Sequence, residues 1–495
     1  MIVFRYNIQN SIIVFHAAKG KYPIEFLIKR GIMYLMRGKA LMVCFLERGK
    51  RPNYVIFFTI ENKEWGIMAD QKHIVIVGAG FGGVRLAKEL AKENVRVTLI
   101  DRHNYHLFQP LLYQVTTAVL SSSEIAYPTR QFFKNNQNVN FFMSKVTGVD
   151  QERRVVITKH GEISYDYLVL AAGATTNFFG NKSVERNSYA MKTLQEAIAL
   201  RGHLIHEFER AARKSGPDQR EARQRHLNFV IVGGGATGIE MGGALMELID
   251  VFKKEFHTID FSEVKVTLLE AMGSVLPMVP PDLQQHTIDV LRKKGVDVRL
   301  NTAVTEYDGN DLKLNNGEVI PTKTVIWAAG VRAQDFIKEC GGEVDRAGRI
   351  IVQENLLVKG SDCVFAIGDC ANFQHGDMPR PLPTVAPVAT QEAMQVKKNI
   401  MALIAGKTPD QLEKFVYHDL GAMATIGKGE AVMNGPMPVL GFNLKASGFF
   451  AWFAWMLVHL VRLAGKYADF TVSVKWIWNF FFGTRLARII HSKLE

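Results

Sequence analysis

Short β-branched runs alternate with segments of helical spacing from Lys72 onward. His73–Val77 is such a run. Residues 78–83 follow as a glycine-rich turn, residues 84–93 carry apolar side chains at helical intervals, and residues 95–100 form a second apolar run that stops at Asp101. The order strand, tight loop, helix, strand, acid returns at Asn228–Val232, 233–238, 239–248 and 264–269, closing on Glu270. Two more apolar runs, 167–173 and 325–330, end in small residues at Gly173 and Gly330, as buried strands do where backbone must pass close to something. The heavily charged stretch 202–225 predicts an exposed helix with its following loop. A Pro-rich connection, 379–387, leads to a helix at 388–405, and 423–432 reads as a strand and turn. The pattern predicts an α/β fold with two Rossmann-like dinucleotide-binding units, followed after Ser447 by a different, aromatic tail.

The loops carry the first chemistry. Gly78, Gly80 and Gly83 stand as G-x-G-x-x-G, with Phe81 and Gly82 between them. The first glycine makes the turn, the second lets a pyrophosphate reach the backbone, and the third lets helix pack on strand, with phosphate at the positive helix end. Such a triplet alone is often only a turn. Here a strand precedes it, a helix follows, and Asp101 stands about 20 residues on, where an acid binds a ribose hydroxyl pair. Gly233, Gly235, Gly238 and Glu270 repeat the set, and no Arg follows Glu270 to receive a 2′-phosphate, which favours NADH over NADPH. Two cradles call for two dinucleotides, and the economical pair is a bound FAD and a transient NADH.

Length and charge narrow the setting. A chain of 495 residues with 47% hydrophobic composition exceeds one core. The net charge of +12 gathers at the ends: residues 1–67 hold 11 basic against 4 acidic side chains, and residues 440–495 hold 7 against 2. A basic excess beside Trp and Phe fits an anionic membrane surface, not a nucleic-acid groove. Cys44, Cys340, Cys363 and Cys370 make neither a CxxC nor a disulfide framework, so an intracellular chain without a structural metal site is expected. Residues 1–67 match no recognisable domain or signal peptide; few acidic residues are compatible with a transit peptide, though Ser is scarce, and translation is expected to start at Met68.

Residues 363–371 (CVFAIGDCA) deliver Gly368 and Asp369 from a short strand. This resembles the second FAD signature of the two-dinucleotide-binding flavoproteins, in which the Asp binds a ribitol hydroxyl. Within them, residues 73–490 resemble the type II NADH:quinone oxidoreductases, on GAGFGG at 78–83, HNYHLFQPLLY at 103–113, EIAYPTR at 124–130, GGGATGIE at 233–240, residues 385–395 and the tail. The resemblance implies an FAD domain in two parts (68–184 and 331–400), an NADH domain (185–330), C-terminal strands and turns (401–446) and an amphipathic anchor (447–495). It also implies that residues 108–113 screen the flavin, and that a helix start at 387–389, with Ala389, faces it. Glu240 is then the first-turn acid that couples protons to reduction of ubiquinone or menaquinone, although an acid there also suits a helix dipole. Thr390 then occupies the first Gln position of the family's quinone site, with Gln391 expected to supply the amide and Gln395 as the alternative, and Lys428 is a weaker candidate nearby. Disulfide reductases and sulfide:quinone reductases need cysteines that are missing between Cys44 and Cys340. A soluble ferredoxin or rubredoxin reductase and an apoptosis-inducing-factor-like NADH sensor remain as alternatives.

Residues 447–461 hold Phe449, Phe450, Trp452, Phe453 and Trp455 but are shorter than the roughly 20 needed to span a bilayer, and His459 interrupts them. With Trp476, Trp478, Arg485, Arg488 and Lys493 they predict a peripheral anchor on the cytoplasmic face of a bacterial inner membrane. A buried dimer helix is the competing reading. Some members of the family dimerise here, so a homodimer is compatible with either.

Overall fold

A computed structural model describes residues 71–490 except 215, 377, 379, 438–441, 484 and 486. Before residue 71 it describes only five strands, and of these, as of residues 217, 437, 442, 443, 466 and 467, only the backbone course. Met68 and Lys493 lie outside the described residues. The chain divides into two compact units, Met1–Gln71 and Lys72–Glu495. In the first, Ile13–Ala17, Ile24–Lys29, Ile32–Arg37, Ala40–Phe45 and Val55–Phe58 pair in sequence order as an antiparallel meander.

The second unit holds two parallel five-stranded sheets with the same order of four strands, the fifth, an edge strand, coming last in the chain in the first sheet and first in the second. In the first sheet His73–Val77 is central, flanked by Arg96–Asp101 and then Val139–Met143 on one side and by Tyr167–Leu170 and then Val364–Ala366 on the other. In the second, Asn228–Val232 takes the centre, with Lys265–Leu269 and Val296–Arg299 on one side and Thr324–Trp327 and Tyr189–Ala190 on the other. Both central strands are buried at every position, as apolar runs covered on two faces should be. Each sheet reverses strand order beside its central strand, and a glycine loop leaves at that switch point, where parallel sheets open a crevice. The loops lead into α1 (Phe81–Leu90) and α2 (Ala236–Phe252).

The first sheet closes late. Its edge strand Val364–Ala366 arrives only after the second sheet is complete, followed by α3 (Ala386–Ile404), which packs on α1. Beyond Gly173 and Gly330 the two exit strands Ala174–Thr176 and Val331–Ala333 pair antiparallel, tying the two sheets together at their open ends. The charged stretch 202–225 departs from the expected exposed helix. Leu194–Ala212 turns Leu200, Leu204, Ile205 and Phe208 inward, and its Glu207 is fully buried against Arg210 and His226, each at 2.6 Å. A second helix, Arg220–Leu227, buries Arg223 on Glu263 at 2.7 Å. Paired charges let this stretch be covered.

Three antiparallel strands, Ala422–Thr425, Ala431–Met437 and Phe442–Ser447, carry the chain to α4 (Gly448–Arg462) and α5 (Lys466–Phe482). The tail is anchored to the body more deeply than its composition suggests. Trp455 and Trp476 are buried, the indole N–H of Trp476 donates to Gln114 at 2.7 Å, and Lys475 meets Glu124 at 2.7 Å. Arg485, 1% exposed, donates to the carbonyls of Thr117 and Ala244 at 2.8 and 3.0 Å and to the Glu247 carboxylate at 2.9 Å. These residues were expected among the membrane-facing set, but Trp455 is buried and Trp476, Lys475 and Arg485 each find in the body a partner that a lipid surface would not offer.

Replacing Arg485 by Ala removes its bonds to two carbonyls and to the largely covered Glu247 carboxylate, which keeps Lys294 and the Lys428 N–H, an expected cost of about 2–3 kcal/mol. Limited proteolysis should then cut near the end of α5 well before the body; an unchanged cleavage order would show that Arg485 does not hold the tail.

Candidate active site

The two glycine loops have the same geometry. Gly78 and Gly233 have φ of +111° and +113°, a region that disfavours side chains, and a Cβ on Gly78 would lie 2.2 Å from the Ala171 carbonyl. A Cβ on Gly83 or Gly238 would fall 1.8 or 1.9 Å from the carbonyl of Gly78 or Gly233, so helix and turn touch backbone to backbone. Gly80 and Gly235, the N-caps of α1 and α2, face open space, and neither helix has a side-chain cap. The first-turn N–H groups are thus left for an anion.

The strand-tip acids hold the loops. Asp101 accepts from the N–H of Ala79 at 2.7 Å and of His103 at 2.8 Å; Glu270 accepts from Gly234 at 2.6 Å and Met272 at 2.8 Å. Each carboxylate keeps lone pairs for hydroxyl donors. His106, in the motif 103–113, donates from Nδ1 to the Ala79 carbonyl at 2.9 Å, so both backbone groups of Ala79 are held.

A cavity of about 880 Å³ opens between the loops. Gly78, Gly80, Phe81, Gly82, Asp101, Gly173, Gly368, Asp369 and Ala389 line it, with Gly235 and Glu240 from the second loop and its helix. Gly83, Gly233, Gly238 and Glu270 stand behind or outside that wall. Gly330 does too: it turns with φ of +80° against the Phe179 ring. Leu112 and Tyr113 of the expected screening segment also face the cavity. Gln391 does not; its amide clasps the backbone of His418, donating to the carbonyl at 2.9 Å and accepting from the N–H at 3.0 Å. Thr390 and Gln395 are likewise absent from the wall, while the Lys428 ammonium lies over the Phe480 ring at 4.7 Å.

Beneath Gly368, a Cβ would meet Ala389 at 3.1 Å, so α3 starts directly under this turn. Glu392, one helical turn on, accepts from the Gly368 N–H at 2.6 Å, and burial raises its carboxyl to about 8. Lys192 reaches Asp369 at 3.4 Å on the cavity wall. Neither residue carried a signal in the sequence, because each lies far along the chain from the group it contacts.

Glu240 is the fifth residue of α2, past the first turn where it was expected, so the helix dipole is a poor explanation for it. Burial raises its carboxyl to about 8, opposed by the nearby Thr425 backbone and Trp455 side chain, whose buried indole N–H has no hydrogen-bond partner among the described residues. Its charge bears on Tyr113, whose hydroxyl accepts from Gln114 at 3.0 Å. Val458, His459 and Arg462 of α4 complete this end of the cavity. Trp455 and His459 were read only as parts of the anchor run; their spacing of four residues, opposite the outward Phe positions, was the available signal.

Residues 72–393 match the pyridine nucleotide-disulphide oxidoreductase family. The type II NADH:quinone oxidoreductase Ndh of Mycobacterium tuberculosis is 38% identical over 421 residues, covering 82% of this chain and 88% of the relative. The type II NADH:quinone oxidoreductase NdhA of the same organism is 36% identical, with 88% and 93% covered. A solved structure of NDH2 from Plasmodium falciparum in complex with NADH shares the fold at a TM-score of 0.76, with 21% identity, 84% of this chain and 99% of that one. Two glycine cradles opening on one cavity, joined to this degree of likeness along nearly the whole second unit, mean that the chain belongs to the type II NADH:quinone oxidoreductases within the pyridine nucleotide-disulphide oxidoreductase family.

Proposed function

We propose that the chain takes hydride from NADH onto bound FAD and passes two electrons to a membrane quinone without pumping protons. The observation that carries this reading is the single cavity shared by the first glycine loop, the start of α2 and the inner face of α4, which gives donor, cofactor and acceptor one meeting place.

FAD fits the first cradle. The uncapped N-terminus of α1 faces open space at Gly80, Asp101 keeps acceptor capacity for a ribose, and Gly173, Gly368, Asp369 and Ala389 continue the same wall. Phe81 and Gly82 complete the loop, and Gly83 seats its helix. Gly233, Gly235, Gly238 and Glu270 form the NADH cradle, with Gly330 shaping its exit strand. Bound FAD would supply the two-electron relay between nicotinamide and quinone. The residues position and protonate. Glu240 retains a proton up to about pH 8 and can release it toward a quinone oxygen, while the Thr425 N–H and Trp455 indole stabilise the carboxylate left behind. Gln391, tied to His418, holds the start of α3 against the neighbouring loop rather than meeting the quinone directly.

The tail supports peripheral docking. α4 exposes Phe449, Phe450, Phe453, Leu457 and Val461, and α5 exposes Phe470, Val474, Ile477, Trp478, Phe481 and Phe482. Among the described residues no helix is long and apolar enough to cross a membrane. Two adjoining apolar helix faces of this size suit the lipid interface, on the cytoplasmic face where NADH is available. A soluble ferredoxin reductase or a nucleotide-sensing flavoprotein would have no use for them.

Steady-state assay tests the reading: NADH oxidation should be rapid with decylubiquinone and slow with NADPH or a ferredoxin, and a preference for the protein acceptor would overturn it. With Glu240 as proton donor, quinone turnover should fall as pH rises through about 8, since the carboxyl then ionises. Glu240→Gln should lose this limb and fall about a hundredfold or more at pH 7; a pH profile matching the native enzyme would contradict the role. Phe453→Glu with Phe481→Glu should weaken sedimentation with phosphatidylglycerol vesicles about tenfold or more. Undiminished binding would remove the anchor, and a halved solution mass would show instead that a second copy covers this face.

A further inference from the structure

Helix α4 has two faces with different tasks. Phe449, Phe453, Leu457 and Val461 point outward, while Trp455, His459 and Arg462 follow at intervals of four and three on the inner side, with His459 and Arg462 on the cavity wall. His459 Nδ1 lies 2.7 Å from the Trp455 carbonyl oxygen. A carbonyl only accepts, so Nδ1 carries the proton. Burial keeps the imidazole neutral down to about pH 4, and the Arg462 charge acts in the same sense against the Trp455 carbonyl bond. Nε2 is therefore a bare lone pair. Nothing among the described residues donates to it. The ring cannot turn freely, being stacked on the Trp455 indole at 4.0 Å with the Phe108 ring edge-on at 6.0 Å.

We propose that Nε2 of His459 is a fixed hydrogen-bond acceptor for a hydroxyl of the reduced acceptor, so that this end of the cavity prefers hydroquinone to quinone. The inference rests on the functional reading above and adds a discriminating residue to it. A quinone presents only carbonyl oxygens, and a carbonyl set against an unprotonated ring nitrogen brings two lone pairs together. A hydroquinone hydroxyl has the hydrogen that Nε2 lacks. The cavity thus offers groups of opposite sense from two elements, a protonated carboxyl on α2 that gives and an imidazole on α4 that receives. Selective holding of the reduced form favours reduction of the bound quinone at the expense of slower release.

Two measurements test this on the full chain with FAD bound. Quenching of tryptophan fluorescence, sensitive to the indole under His459, should give decylubiquinol a dissociation constant about five- to tenfold below that of decylubiquinone, the worth of one hydrogen bond. Equal affinities, or a preference for the quinone, would overturn the proposal. In steady state, His459→Leu should raise the inhibition constant for decylubiquinol about five- to tenfold while the KM for decylubiquinone moves less than about twofold. His459→Gln, whose amide oxygen accepts, should recover most of the loss. A parallel rise of both constants would mean that His459 only shapes the cavity, and an unchanged inhibition constant would mean that it does not meet the hydroxyl. A native enzyme that reduces no quinone at all would fail the functional reading instead.

Discussion

Burial of one carboxyl, that of Glu240, is the constraint around which the cavity is organised. Covering it takes three separated parts of the chain: α2, which carries it, the hairpin at Thr425, and Trp455 of the tail. The packing that brings them together leaves little slack. A Cβ on Gly243 would lie 2.3 Å from the Ile426 carbonyl, and the next residue of α2, Ala244, gives its carbonyl to Arg485. The hairpin and the end of the tail therefore press on the same helix face, and what they seal is the acid at its start. Low dielectric around that acid keeps its proton in place near neutrality.

The same helix joins both halves of the chemistry. Its N-terminus repeats, nearly atom for atom, the backbone contact found in the first loop, with Gly238 against Gly233 as Gly83 is against Gly78. The antiparallel pair beyond Gly173 and Gly330 keeps the open ends of the two sheets together. The donor side is therefore built from a repeated unit and fixed by backbone geometry. The opposite end of the cavity is made from the unique C-terminal third, and its side chains Val458, His459 and Arg462 come from a helix whose other face is apolar and exposed. On the proposed reading, a lipid-facing surface and a quinone-facing wall are two sides of one element, with outward Phe453 and Leu457 each two residues from inward Trp455 and His459.

How much of this could be read in advance follows from the range of the interactions. The glycine loops, their acids and the strands before them were legible because each is a local device: turn, cap and strand tip fall within about 30 residues and demand particular residue types. The exit strands at Gly173 and Gly330 were visible for the same reason. Contacts across long separations were not. Lys192 on Asp369, Glu392 under Gly368 and Arg485 on Glu247 leave no periodic trace, and the buried pairs of Leu194–Ala212 looked like a solvated charged stretch. The tail misled in one respect. Its Trp and Arg residues have the composition of an interfacial anchor, yet Trp455, Trp476 and Arg485 turn inward, and the apolar outer face is made mostly by Phe, Leu, Ile and Val. Around Gln391 the sequence showed the amide but not that the His418 backbone, 27 residues on, takes one of its donors and one of its lone pairs.

The central claim is that a nicotinamide and a quinone reach the same enclosed cofactor from a donor side and an acceptor side. Anaerobic double-mixing stopped flow tests it most directly, with flavin absorbance near 450 nm followed as NADH and then decylubiquinone are added. The account predicts bleaching by NADH and full return of the colour on quinone addition, each at least as fast as steady-state turnover. A flavin that bleaches and then stays reduced in the presence of quinone would contradict it.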